Sequence, residues 1–281
     1  MRIIYVTDLH GWQRGYERVL EHAVECEAAA IVNGGDMLPK VKDAVPAQRR
    51  FLDQFMAPFL GRCAWRGIAH YGMFGNEDLL LHWPRWKAYV DACECAFDLT
   101  DRWHAIEGGL WMRGCGFVPD FPYRIKDLAL RDDEGVPRPE QREPPVRSAA
   151  DDIEPIDDLE RYFAERPTLR EELEKFGADC PDQSRAIAVI HAPPIDTGLG
   201  VLPKEGDVGS VAVRDWIEHH QPMLALHGHI HESPDVTGCC THQLGRTTCH
   251  QPGQRGPAAL SLSEIEITEK DVHLERRVLD V

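Results

Sequence analysis

Short apolar runs that stop at a polar cluster recur along this chain. Residues 2–7, Arg-Ile-Ile-Tyr-Val-Thr, are β-rich and apolar as in a strand buried on both faces, and Asp8-Leu9-His10-Gly11 follows at once. Val19, Leu20, Ala23 and Val24 stand at helical spacing and predict a helix leading to a second strand at 30–33, which ends in Gly34-Gly35-Asp36. Phe51, Leu52, Phe55, Met56 and Phe59 predict a second helix, and 68–74 a third strand that runs into Gly75-Asn76-Glu77-Asp78. This is a βαβαβ pattern. Right-handed crossovers place the carboxyl ends of such strands on one edge of a sheet, where ligands bind. The pattern returns at 186–190, a strand ending in His191-Ala192-Pro193-Pro194, then a helix near 211–219, then 223–226 running into His227-Gly228-His229-Ile230-His231. Partial alternation at 258–267 and 272–279 predicts antiparallel strands, and a second sheet is expected to pack against the first.

Residues 119–185 break the rhythm. They hold nine of the 20 prolines and 19 acidic against 11 basic residues, half of the net charge of −16. Up to Pro144-Pro145 the segment reads as loop, and 159–176 as helix interrupted at Pro167. The 281 residues therefore read as a single domain, 1–281, carrying an acidic insertion or lid at about 119–185, with a solvated surface excursion as the plain alternative. A hydrophobic content of 43% excludes wholesale disorder. No apolar run reaches the ~18 residues of a membrane span, and Asp8 interrupts the first run too early for a signal peptide, so a cytoplasmic protein is expected. Nine scattered cysteines read as free thiols; the cluster Cys239, Cys240, His242, Cys249, His250 lacks the close pair that structural zinc sites show. The negative balance disfavours duplex nucleic acid as a partner.

Asp8, His10, Asp36, Asn76, His191, His229 and His231 all follow apolar runs. Together they supply what a pair of divalent cations needs: a carboxylate to bridge two ions held about 3.5–4 Å apart, neutral imidazoles, and an amide carbonyl that limits negative charge. A mixture of imidazole and carboxylate favours manganese, iron, zinc, cobalt or nickel over magnesium and calcium.

In motif order, Asp-x-His, Gly-Asp, Gly-Asn, His and Gly-His-x-His, the chain resembles the calcineurin-like metallophosphoesterase superfamily, in particular its bacterial phosphodiesterase-like branch, over most of residues 1–267 outside the insertion. The resemblance implies an α/β fold of two facing mixed β-sheets flanked by helices, in four αββα layers. It also implies two metal ions: Asp8, His10, Asp36 and His231 on one, and Asp36 as bridge with Asn76, His191 and His229 on the other. Two departures stand out. The family histidine that assists the leaving group is Glu77 here, and a carboxylate beside two cations is a poor proton donor. The turn that reads Asn-Pro-Gly-Ser in many relatives is Gln251-Pro252-Gly253-Gln254. Asp36 is followed by Met37-Leu38-Pro39-Lys40, without the arginine of the protein phosphatase branch; Lys40 either reaches phosphate as a point charge or is simply solvated.

The expected activity is hydrolysis of a small-molecule phosphate ester, most simply a diester, by attack of a hydroxide shared between the metals, with His10, Asp36, Asn76 and Glu77 as the catalytic set. A non-catalytic binding scaffold, a phosphomonoesterase and a nuclease are the competing readings. Oligomeric state is not legible. The other histidines, His70 among them, read as core or edge residues, and Trp83, Trp86 and Tyr89 as helix packing; Trp12 either lines the substrate mouth or packs.

Overall fold

The computed structural model describes residues 1–268 and 271–281. Strands β1 (Arg2–Val6), β2 (Ala30–Asn33), β3 (Ala69–Gly72) and β4 (Ala96–Asp98) form the parallel part of one sheet. The second sheet holds β5 (His104–Ile106), β6 (Leu110–Cys115), β7 (Ala186–Ile190), β8 (Leu224–Leu226), β9 (Thr241–Leu244) and β10 (Thr247–His250). The closing hairpin, β11 (Leu260–Ile267) and β12 (Val272–Leu279), returns to the first sheet, β11 pairing antiparallel with β1 so that Ile3 faces Ile265. The strand orders are β12-β11-β1-β2-β3-β4 and β9-β10-β8-β7-β6-β5. Both sheets are mixed, as expected, and each has six strands, but the 258–279 strands extend the first sheet and do not build the second.

Alternation along the strands sorts the core into three layers. Ile3 and Tyr5 of β1 meet Ile187 and Val189 of β7 between the sheets, with Val32, Met112, Leu224 and Ile265. Ile4 and Val6 point the other way, onto Val19, Leu20 and Ala23 of the Gln13–Glu25 helix and onto the aromatic row Phe51, Phe55, Phe59. Ala186, Ala188 and Ile190 face helices Leu169–Ala178 and Val211–His220. Helix, sheet, sheet, helix is thus a stack of buried faces. The Phe51 helix runs from Ala44 to Trp65 through a π-helical turn at Leu52–Met56, which keeps Phe51, Phe55 and Phe59 on one side of Tyr16.

Residues 119–185 are tied to this frame. Val118–Pro119 pairs with Ala129–Leu130, Val146–Ser148 with Ile153–Pro155, and two helices, Leu159–Ala164 and Leu169–Ala178, flank Pro167. Thr168 and Glu171 close a reciprocal capping box at the second helix, whose Leu169, Leu173 and Phe176 enter the outer core of the second sheet. Arg166 donates to the carbonyls of Lys126, Asp127 and Ala129, drawing the loop onto the helices. Among the described residues no helix is long and apolar enough to cross a membrane, and all nine cysteines are unpaired.

Candidate metal centre

The carboxyl ends of β1, β2 and β3 meet those of β7 and β8 at one rim, so the ligand set comes from two sheets and not from a single edge. The chain leaves these strands sharply. Asp8 (φ 56°), His10 (φ 45°), Asp36 (φ 51°) and His229 (φ 65°) all adopt left-handed backbone, at a cost of about 1–3 kcal/mol each, which persists only where surrounding bonds fix it. Those bonds are present. The N–H of Asp8 donates to the Gly35 carbonyl at 3.0 Å, that of His10 to Asp36 at 2.9 Å and that of Gly11 to Met37 at 2.9 Å, continuing the β1–β2 pairing into the loops. The N–H of His229 donates to both Asp8 oxygens at 3.2 Å, which joins the sheets. Gly228 allows that approach, because a Cβ there would collide with Thr7 Oγ1 and lie 2.7 Å from Asp8 Oδ2.

One oxygen or nitrogen from each of Asp8, His10 and Asp36 lies within 4.8 Å of the other two, the one such group of metal-ligating side chains among the described residues. His191 is fully buried beside them: its Nε2 lies 3.6 Å from Asp36 Oδ2, 3.9 Å from Asp8 Oδ1 and 3.2 Å from Asn76 Oδ1. Its Nδ1 contacts the Gly34 carbonyl at 2.8 Å, which orients Nε2 toward the carboxylates. The His229 ring centroid is 5.5 Å from that of His191, and the His231 ring 6.0 Å from that of His10. All seven sequence-predicted ligands therefore gather at one place, whereas the Cys239–His250 cluster does not: the His250 ring bonds Thr241 and Ser263, and Cys239 Sγ the Thr241 carbonyl.

Burial by itself would raise the Asp36 carboxyl, but His191, then His10 and the Glu77 N–H, hold it well below the ordinary carboxylate range. Burial likewise disfavours the His191 imidazolium, yet Asp36 and Asp8 raise it to about 9. Two buried carboxylates thus demand positive charge at Nε2, a demand that a divalent cation coordinated there meets equally, with loss of that proton. His229 is pushed down to about 3 by burial and by His191, so its imidazole is neutral and ready to ligate. The donor set fits transition-metal ions.

Several supporting residues gave little signal in the sequence. Asp78 is wholly buried and accepts the N–H groups of Met37 (3.0 Å), Leu38 (2.7 Å) and Gly75 (2.9 Å), fastening the loop after Asp36 to the loop bearing Asn76. Gln48 does the same from the helix, donating to the Glu77 carbonyl and accepting from the Leu79 N–H. Phe121, from the 119–185 segment, stands edge-on to His229 with centroids 5.8 Å apart. The one advance hint of Asp78 is its place as the last of the three polar residues in Gly75-Asn76-Glu77-Asp78. Glu77 is also buried and turns its carboxylate to Lys40, Oε1 to Nζ 2.8 Å.

Residues 1–233 match the family model described as calcineurin-like phosphoesterase, and the chain belongs to that family. It is accordingly a metal-dependent phosphoric ester hydrolase by class. Among solved structures, the protein TT1561 of Thermus thermophilus is 17% identical, with 98% of this chain and 97% of that one covered at a TM-score of 0.57. Another solved chain reaches a TM-score of 0.63 at 14% identity, with 98% of both covered. An archaeal phosphodiesterase aligns over 99% of this chain and 100% of its own at 10% identity and a TM-score of 0.45. At these identities the first two show a shared fold. No curated protein sequence matches the chain.

Proposed function

We propose that the protein is a dinuclear metal-dependent phosphodiesterase acting on a small phosphate ester. The observation that carries this reading is the convergence of two carboxylates, an amide and four imidazoles on one two-sheet rim, with Asp36 reaching both His10 (3.8 Å) and His191 (3.6 Å). Two divalent ions, manganese foremost, with iron, zinc, cobalt and nickel as alternatives, supply when bound the Lewis acidity that holds the phosphate oxygens and activates a water. Asp8, His10, Asp36 and His231 are assigned to one ion, and Asp36, Asn76, His191 and His229 to the other.

The chain's own residues do the rest. Asp36 is fixed for a bridging position, because its Oδ1 is engaged by the Glu77 N–H at 2.8 Å while Oδ2 faces the two histidines. Neutral His229 avoids excess positive charge, and Phe121 packs edge-on against its ring. His10 and His231, both half-buried at the mouth, face the solvent side from which substrate and water arrive. The 119–185 segment borders that mouth through Phe121 and Tyr123, which supports a role in selecting the leaving group. Unpaired thiols favour a reducing, cytoplasmic setting.

The test is metal analysis of the purified protein followed by a screen of the manganese-loaded form against mono- and diesters, cyclic nucleotides included. About two ions per chain and diester turnover that Asp36→Ala reduces on the order of a thousandfold are expected. Full metal-stimulated turnover in Asp36→Ala would remove the bridging assignment, and a chain that neither retains transition metal nor hydrolyses any ester would be a binding scaffold.

A further inference from the structure

Glu77 occupies the position of the histidine that assists the leaving group in relatives, and its surroundings show what has changed with it. Its backbone N–H is spent on Asp36, and its carboxylate, buried under the loop, engages the Lys40 ammonium at 2.8 Å. The aromatic face of Tyr123 lies 5.5 Å from the same ammonium. Lys40 is thereby held from two sides while its side chain stays half exposed, and Tyr123 is 43% exposed beside it. Because the residue it pairs with, Glu77, also gives its N–H to Asp36 Oδ1 at 2.8 Å, the half-exposed ammonium stands beside the loop that carries the assigned metal ligands Asp36 and Asn76.

We propose that Lys40 is the group that meets the leaving oxygen, and that Glu77 and Tyr123 position it there. The proposal rests on the phosphoester reading above. As a water-derived oxygen adds to phosphorus, the bond from phosphorus to the leaving oxygen breaks and its electron pair stays on that oxygen. An N–H of the Lys40 ammonium bonds the developing oxyanion. For a strongly basic alkoxide the proton follows, giving the free alcohol and an amine that takes a proton back from solvent. In this way a lysine–carboxylate pair does the work of one imidazole: the ammonium carries the proton, and the carboxylate holds the flexible four-carbon stem in place.

The test compares manganese-loaded wild type with Lys40→Met, Lys40→Arg and Glu77→Gln on methyl aryl and dialkyl phosphodiesters whose leaving groups run from 4-nitrophenolate, which needs little help, to phenolate and then an alkoxide, which need much more. Lys40→Met is expected to lose about fivefold with 4-nitrophenolate and about a hundredfold with the poor leaving groups, with Glu77→Gln showing the same trend in milder form and Lys40→Arg partial recovery. Manganese affinity and stoichiometry by calorimetry are expected to match wild type in Lys40→Met, which separates this role from metal binding. A loss that is uniform across the series, no loss at all, or a fall in manganese affinity that accounts for the loss would overturn the proposal while leaving the phosphoesterase reading intact. Wild type inactive on every ester would defeat that reading and this one together.

Discussion

The two sheets meet at one rim but equip it differently. From the first come the oxygen donors, Asp8, Asp36 and Asn76, together with His10; from the second come His191, His229 and His231. The first sheet's side is knitted by backbone bonds from loop to loop and by Asp78, which alone gathers three N–H groups. The second sheet's side leans on ring contacts, on the neutral imidazole of His229 and on His191, whose positive charge answers the carboxylates. Buried carboxylates require compensating charge and hydrogen bonds, whereas buried neutral imidazoles require only that they stay unprotonated. One side should therefore fail when charge is removed, and the other when protons are added.

The largest contrast is in catalysis. Asp8→Asn keeps the shape but removes a charge that balances His191 and accepts the His229 N–H, and should cost on the order of a thousandfold in turnover with weakened manganese binding. His231→Asn, at a half-exposed position proposed as a ligand that water can replace, should cost about 10–100-fold and recover in part at high manganese. Equal losses, with equal response to a manganese titration, would erase the distinction.

Acid comes next. His70 of the first sheet is pushed to about 4 by burial, and His250 of the second to about 3 by burial and by His227. Their folded values lie below the unfolded one near 6.5, so each contributes stability that is complete above that value and is lost as pH falls toward the folded value, about 1.4 kcal/mol per unit and per group. The two sheets then diverge. Neither ring nitrogen of His70 has a hydrogen-bond partner, while His250 bonds Thr241 and Ser263. His70→Leu should flatten the loss below pH 6.5 at little cost at pH 7.5, and His250→Leu should flatten it too but cost about 1–3 kcal/mol at pH 7.5. Urea titrations from pH 7.5 to 4.5 check both.

A smaller effect is expected of Asp78→Asn. The amide presents a donor where the carboxylate accepted, so at least one of the Met37, Leu38 and Gly75 N–H groups is left without a partner. Stability should fall by about 1–3 kcal/mol in urea, with weaker manganese binding because the Asp36 and Asn76 loops part. Unchanged stability would mean that the loops are held by Gln48 instead.

The candidate ligands could be picked out in the sequence because each one follows an apolar run, and a continuous apolar run that stops at a polar cluster is what a buried strand feeding a sheet rim looks like. What connects the ligands was not. Strand β6 (Leu110–Cys115) contains Arg113 and Gly114, and β9 and β10 are mostly Thr, His and Gln, so the second sheet's flanking strands carry little apolar signal; they read as a Cys/His cluster. The placement of β11 beside β1 depends on Ile265 facing Ile3 over more than 250 residues of intervening chain, which no local pattern specifies. Asp78 and Glu77 were visible as acidic neighbours of Asn76, but that one would gather backbone N–H groups and the other recruit Lys40 is decided by how the loops cross. Phe121 lies in a stretch that reads as loop, and only the folded chain puts it on His229.

The finest test of the comparison lies at the turn where this chain departs from many relatives. Gly253 has φ 68°, and a Cβ there would lie 2.6 Å from the His231 carbonyl oxygen, the same oxygen that accepts the Gln254 N–H at 3.1 Å. Gln254 in turn accepts the Ser261 N–H at 3.2 Å, so the turn links the His231 loop to β11 of the first sheet. Gly253→Ala must displace either the turn or His231. A left-handed alanine costs about 1 kcal/mol, and the displaced carbonyl adds to it. If His231 depends on the turn for its position, manganese affinity should weaken severalfold at one of two sites while the other is unchanged, read as separation of two binding steps by calorimetry. Loss of stability without any change in metal binding would instead show that the His231 backbone is anchored from its own loop. The second sheet's side of the rim would then be tied to the first through the His229–Asp8 and His191–Gly34 bonds and not through this turn.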